Sequence, residues 1–143
     1  MKKVTYLLVL ISILILGNEI KAQKGYSIDI TLDGLSDSTA YLAYYYGKGQ
    51  YYRDTTTMNG QGQMIFKGPD TLEHGMYSLI IGQRKWFDFM LDNQNITMKT
   101  DTAFTILNMK VKGSEETKIF YEYLAFLNER QATAKKLTAK KNS

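Results

Sequence analysis

Tyr26, Ile28, Ile30 and Leu32 alternate with Ser27, Asp29 and Thr31, and this period of two recurs in short segments along most of the chain. Alternation at two residues sends neighbouring side chains to opposite faces of a pleated strand, so each segment has one face to bury. The segments lie at 26–32, 39–46, 50–58, 63–67, 76–81, 85–91, 96–99 and 103–111. Between them stand turn-forming runs: Asp33-Gly34, Gly47-Lys48-Gly49, Asn59-Gly60-Gln61-Gly62, Gly68-Pro69-Asp70, Gly82-Gln83 and Asp92-Asn93-Gln94-Asn95. Gly47-Lys48-Gly49 is the clearest hairpin signal. Eight short strands with no strand–helix alternation predict a mainly β fold, an antiparallel β-sandwich or barrel-like sheet.

The period changes at Gly113-Ser114-Glu115-Glu116. Ser114 suits a helix N-cap, and the two glutamates suit the positive end of the helix dipole. Ile119, Phe120, Tyr123, Leu124 and Leu127 follow at three- and four-residue spacing, an apolar stripe predicted to pack on the β body. Past Arg130 the sequence stays helix-prone but nearly loses its apolar positions. The expected organisation is a β domain over 23–112 and a C-terminal helix over 113–143, read as a connector cut short.

Residues 1–22 read as an export signal. Met1-Lys2-Lys3 is basic, Val4 to Leu16 is almost wholly apolar, and Ala22 offers a small residue at a cleavage point. A membrane-spanning helix needs about 20 apolar residues, and this run is shorter. Cleavage after Ala22 leaves 121 residues, enough for one domain with a core of its own. The chain has no cysteine, hence no disulfide, no thiolate metal site, no thiol redox chemistry and no lipid-attachment residue. The expectation is a bacterial protein, periplasmic or extracellular, with no stable membrane anchor once the signal is cut.

The net charge of +4 belongs to the ends. The stretch from Gln23 to Glu129 carries 10 basic and 13 acidic residues, whereas Arg130, Lys135, Lys136, Lys140 and Lys141 are unopposed. Nucleic-acid binding needs a basic surface on the folded body, so that class is set aside. His74 is the single histidine and lies in a turn with no nucleophile motif around it. Asp92-Asn93-Gln94-Asn95 lacks the spaced carboxylates and terminal glutamate of a calcium loop. The paired glycines join strand to strand, whereas a phosphate cradle opens a helix. No catalytic, cofactor-binding or metal-binding residue is assigned.

Aromatic residues are the stronger signal. Tyr41, Tyr44, Tyr45, Tyr46, Tyr51 and Tyr52 crowd one hairpin, and Trp86 and Phe87 lie on a later strand. Exposed rings stack on sugars, and phenols add hydrogen bonds. Aromatic residues also pack well on any pleated surface, and alternation forces some of these rings inward. Tyr41, Tyr45, Tyr51 and Tyr52 are the candidate ligand or partner surface.

The order of the pieces resembles a known family. Its marks are Asp54-Thr55 at a strand end, Gly62-Gln63-Met64-Ile65-Phe66-Lys67-Gly68, and Gly75-Met76-Tyr77-Ser78-Leu79. Trp86, Phe87 and Phe89 follow, then Leu91-Asp92 and Val111-Lys112-Gly113-Ser114. This succession is similar to domain of unknown function 4369 of Bacteroidetes, over about residues 25–127. Met64 replaces a second aromatic and His74 a common proline. The resemblance implies a domain that follows a signal peptide and precedes a thioredoxin-fold thiol-disulfide oxidoreductase domain, whose paired cysteines are missing here. The expected function is thus a non-catalytic accessory domain, for client docking or orientation, with an envelope protein or a thioredoxin-fold domain as partner and no cofactor. The alternative is a glycan or small-ligand binding module built on the tyrosine hairpin.

Overall fold

The computed structural model describes residues 25–103 and 105–141; the export signal expected at 1–22 lies outside the described residues. Among the described residues eight strands form two four-stranded sheets: β1 (Tyr26–Asp33), β2 (Thr39–Tyr46), β3 (Gly49–Thr57), β4 (Gln63–Gly68), β5 (Gly75–Ile81), β6 (Arg84–Leu91), β7 (Asn95–Asp101) and β8 (Lys110–Lys112). One helix, α1 (Glu115–Lys141), follows them. The first sheet runs β4-β1-β7-β8 and the second β3-β2-β5-β6. The sheets stay separate, so the fold is a sandwich and not a barrel.

Alternation builds the core as the sequence predicts. Ile28, Ile30 and Leu32 of β1 meet Met64 and Phe66 of β4 and Ile96 and Met98 of β7. Leu42, Leu79, Phe87, Phe89 and Leu91 face them from the second sheet, all of them buried. One pairing departs from the antiparallel expectation. β1 and β7 run parallel, from Ser27↔Asn95 to Asp33↔Asp101, while the other five pairings are antiparallel. Crossing between sheets supplies the long connection that a parallel pair needs.

The last expected strand, 103–111, is mostly a turn, and only Lys110–Lys112 pairs with β7. Asp101 breaks it: its carboxylate accepts the Ala103 N–H (2.9 Å) and the Asn108 side-chain amide (2.5 Å). The Thr100 hydroxyl donates to the Thr105 carbonyl (2.8 Å), completing a tight fold-back. Short polar side chains thus offer the backbone an alternative to the ladder.

Helix α1 closes the side of the sandwich between β6 and β8. Ser114 caps it, its hydroxyl accepting the Thr117 N–H (3.0 Å), as the sequence predicts. Gly113 leads in at φ +84°, where an added Cβ would lie 2.2 Å from the Asn95 carbonyl oxygen. The packed face is only partly the expected one: Phe120, Leu124 and Leu127 are half-buried, but the stripe is shifted. Thr117 and Tyr121 are buried, while Ile119 and Tyr123 are more than half exposed. β6 is an edge strand, and its free backbone groups select hydroxyls over larger apolar chains. Thr117 Oγ1 accepts the Met90 N–H (3.0 Å) and donates to the Met90 carbonyl (2.6 Å); Tyr121 donates to the Asp88 carbonyl (2.8 Å). Four residues of helix rise about 6 Å and two of strand nearly 7 Å, so the two sets of groups stay in step.

Past Leu127 the helix leaves the body: residues 128–140 are all exposed. The chain enters β1 and leaves β8 at one end of the first sheet. Ser27 pairs with Asn95, and Gly113 sits against the same Asn95.

Candidate functional site

The tyrosines of the β2–β3 hairpin divide between two faces. The connection is Gly47-Lys48, with Gly47 at φ +59°, a tight two-residue loop that keeps the strands in register through Tyr46↔Gly49. A bulge interrupts the ladder: Leu42 pairs with Asp54 but Ala43 with Tyr52, leaving Arg53 as the extra residue. Beyond the bulge Asp54 faces inward, and Tyr26 of the opposite sheet donates to its carboxylate (2.6 Å). Burial, and then the bonded Asp54 carboxylate, push the Tyr26 phenol up to about 12.

On the outer face the Tyr41 and Tyr52 rings lie 5.1 Å apart. Tyr45 stands beside them, accepting a bond from Lys85 Nζ (3.3 Å). Lys85 also bonds Asp88 (2.9 Å), which accepts from the buried Ser78 hydroxyl, and Ser78 accepts from Gln50 Nε2 (2.8 Å). Asp88 first, and then Tyr45, raise the Lys85 ammonium. This chain crosses all four strands of the sheet and fixes the surface on which the rings stand.

On the inner face, register alone stacks a ladder. Tyr51 opposes Tyr44, Tyr44 opposes Tyr77, and Tyr77 opposes Phe89. Their centroids are 5.9, 6.1 and 6.1 Å apart. Phe89 and Tyr77 are buried, Tyr44 is half-buried and Tyr51 is 52% exposed, so the ladder climbs from core to solvent. Beside it opens a cleft of about 390 Å³ with Leu72 and Tyr77 buried in its wall and Tyr46, Arg53, Thr71 and Glu73 exposed around it. Tyr77 donates to the Glu73 carbonyl (3.0 Å), and burial raises its phenol. The loop that carries Leu72 is held by Gln94, which bonds the Leu72 N–H (2.7 Å) and carbonyl (3.0 Å).

With the order of the strands, the hairpin and the capped helix in place, the domain of unknown function family DUF4369 matches residues 26–120. The chain belongs to the DUF4369 family. No curated protein and no solved structure matches it. The matched stretch of this DUF4369 domain takes in all eight strands, both faces of the hairpin and the first turns of α1.

Of the four tyrosines expected to form a surface, the DUF4369 domain brings three together. Tyr41, Tyr45 and Tyr52 share the outer face, while Tyr51 joins Tyr44 on the other. Sequence reasoning misses Arg53 and Glu73, and names Tyr46 in the aromatic cluster without including it in the candidate surface. An exposed arginine between a tyrosine and an aspartate carries no periodic signal, and the cleft depends on a bulge that composition does not announce. His74 is exposed in the loop between β4 and β5. Among the described residues no helix is long and apolar enough to cross a membrane.

Proposed function

We propose that this chain is an exported, non-catalytic accessory domain that works beside a thioredoxin-fold thiol-disulfide oxidoreductase in the envelope of a Bacteroidetes bacterium. The observation that carries the reading is helix α1. Its first turns are anchored to β6 by Thr117 and Tyr121, and its remainder projects from the body. An anchored, projecting helix is a rigid spacer, of about 1.5 Å per residue, suited to hold a second domain at fixed distance and orientation. With no cysteine, the chain supplies no thiolate of its own, so its part is to position a client or the redox partner.

Insulin reduction tests this. The chain alone is expected to be inactive; joined to the thioredoxin-fold domain, it should raise kcat/KM for a protein disulfide and leave that for a small disulfide unchanged. Reductase activity from the chain alone, or equal effects on both substrates, overturns the reading.

A second reading, a glycan-binding module, is favoured by one observation: the paired Tyr41 and Tyr52 rings on the outer face. Tyr52→Ala, at 65% exposure, should abolish glycan binding at that face without loss of stability. Binding that survives the change counts against the outer platform.

A further inference from the structure

We propose that the cleft on the inner face, not the outer tyrosine platform, binds a small sugar acid, with Arg53 holding its carboxylate. Arg53 is the observation that starts the argument. Among the described residues its guanidinium has no ion pair and no hydrogen bond, whereas Asp54, Lys85 and Asp88 of the same sheet are all engaged. Asp54 is held by the Tyr26 hydroxyl and the Thr55 N–H, and Lys85 and Asp88 are held by each other. A guanidinium presents five donors in a planar fork, and a carboxylate matches that fork with two parallel bonds. The bulge sets it there, since Arg53 is the residue that the register shift leaves without a partner on β2.

The rest of the cleft selects the body of the ligand. Tyr44 and Tyr46 supply ring surface and phenol groups, Thr71 a hydroxyl, and Glu73 an acceptor carboxylate, an array that suits a ring bearing many hydroxyls. A peptide would instead seek main-chain partners from a strand edge. Tyr44 and Tyr77 lie on β2 and β5, the central strands, whose backbones are paired on both sides. The wall formed by β2 and β5 therefore reads its ligand through side chains, while Arg53 reaches in from the edge strand β3. Glu73, and Asp54 next to Arg53, disfavour a polyanion, so the ligand carries a single carboxylate. The volume of about 390 Å³ accommodates one or two sugar rings.

The test is a calorimetric titration of the whole chain with a panel of disaccharides, each having one uronic acid linked to one neutral sugar, and with their methyl esters. At least one acid should bind about tenfold or more tightly than its ester, the effect of losing one charge-assisted pair. Arg53→Gln should erase the difference between acid and ester, and Tyr46→Ala should weaken both. Tyr52→Ala should leave binding unchanged, which separates this cleft from the outer platform. Equal affinity for acid and ester, or no binding by any member of the panel up to about 10 mM, overturns the proposal, and neither result depends on how a variant folds.

Discussion

Thr117 shows how much one hydroxyl does in this domain. It is fully buried, and its single oxygen satisfies both the N–H and the carbonyl of Met90 on the edge of β6. Thr117→Val keeps the shape and removes both bonds, leaving the Met90 N–H without a partner and its carbonyl with only the longer bond from Ser114 (3.3 Å). The expected loss is about 2 kcal/mol, read as a lower urea midpoint at unchanged slope. An unchanged midpoint would show that water replaces the hydroxyl. Tyr26 is a second case, with a dependence on pH. Its phenol is raised to about 12 from the ordinary 10, so its contribution is complete below pH 10 and is lost as the pH climbs towards 12. Wild-type stability should fall across that interval. Tyr26→Phe should be less stable at neutral pH by about 1–3 kcal/mol and should lose less on going alkaline.

At the scale of elements, α1 is two helices in one. The stretch from Glu115 to Leu127 is tied to the sandwich, and the stretch beyond is not. Hydrogen exchange should report the division: amides near Tyr121 protected almost as well as the core, those past Asn128 exchanging rapidly. Uniform protection along the helix would contradict it. The anchored end also has an acid-sensitive contact. Burial alone would raise the Asp92 carboxyl, but the neighbouring Ser114 side chain and the Glu116 N–H that the carboxylate accepts (3.0 Å) outweigh it and hold the group below its usual 3.8. This contribution is present above pH 3.8 and fades as the pH falls below it. Asp92→Asn should cost about 0.3–1 kcal/mol at neutral pH and make the acid limb of the stability profile shallower.

These elements also mark what the sequence discloses. Alternation makes most of β1 to β7 legible to within a residue or two, because one face is buried; β3, with no buried residue, is legible from the Gly47-Lys48 turn that precedes it. The Ser114 cap is legible because its chemistry is local. The buried face of α1 is legible only in part: Phe120, Leu124 and Leu127 are half-buried as the stripe predicts, but Thr117 and Tyr121 were chosen by the bare edge of β6, a feature of tertiary structure. The same holds for the cleft, whose guanidinium depends on a bulge between Leu42 and Ala43.

For the whole molecule, the two sheets share one core, with Phe66 and Phe89 fully buried from opposite sides. Phe89→Ala should cost about 3–5 kcal/mol and still unfold both sheets together, with tyrosine fluorescence and far-ultraviolet dichroism giving one midpoint. Separate midpoints would mean that the sheets are independent units. The placement of Ser27 and Gly113 around Asn95 has a mechanical consequence. Once the anchored turns of α1 have come away, tension between the two ends of the β body would enter at adjacent points. It would load the first sheet like a zipper, opening β8 from β7 a bond at a time, and would not drag β1 past β7 along its full length. The domain should therefore yield at low force, and a neighbour pulling on both ends would find it a soft joint.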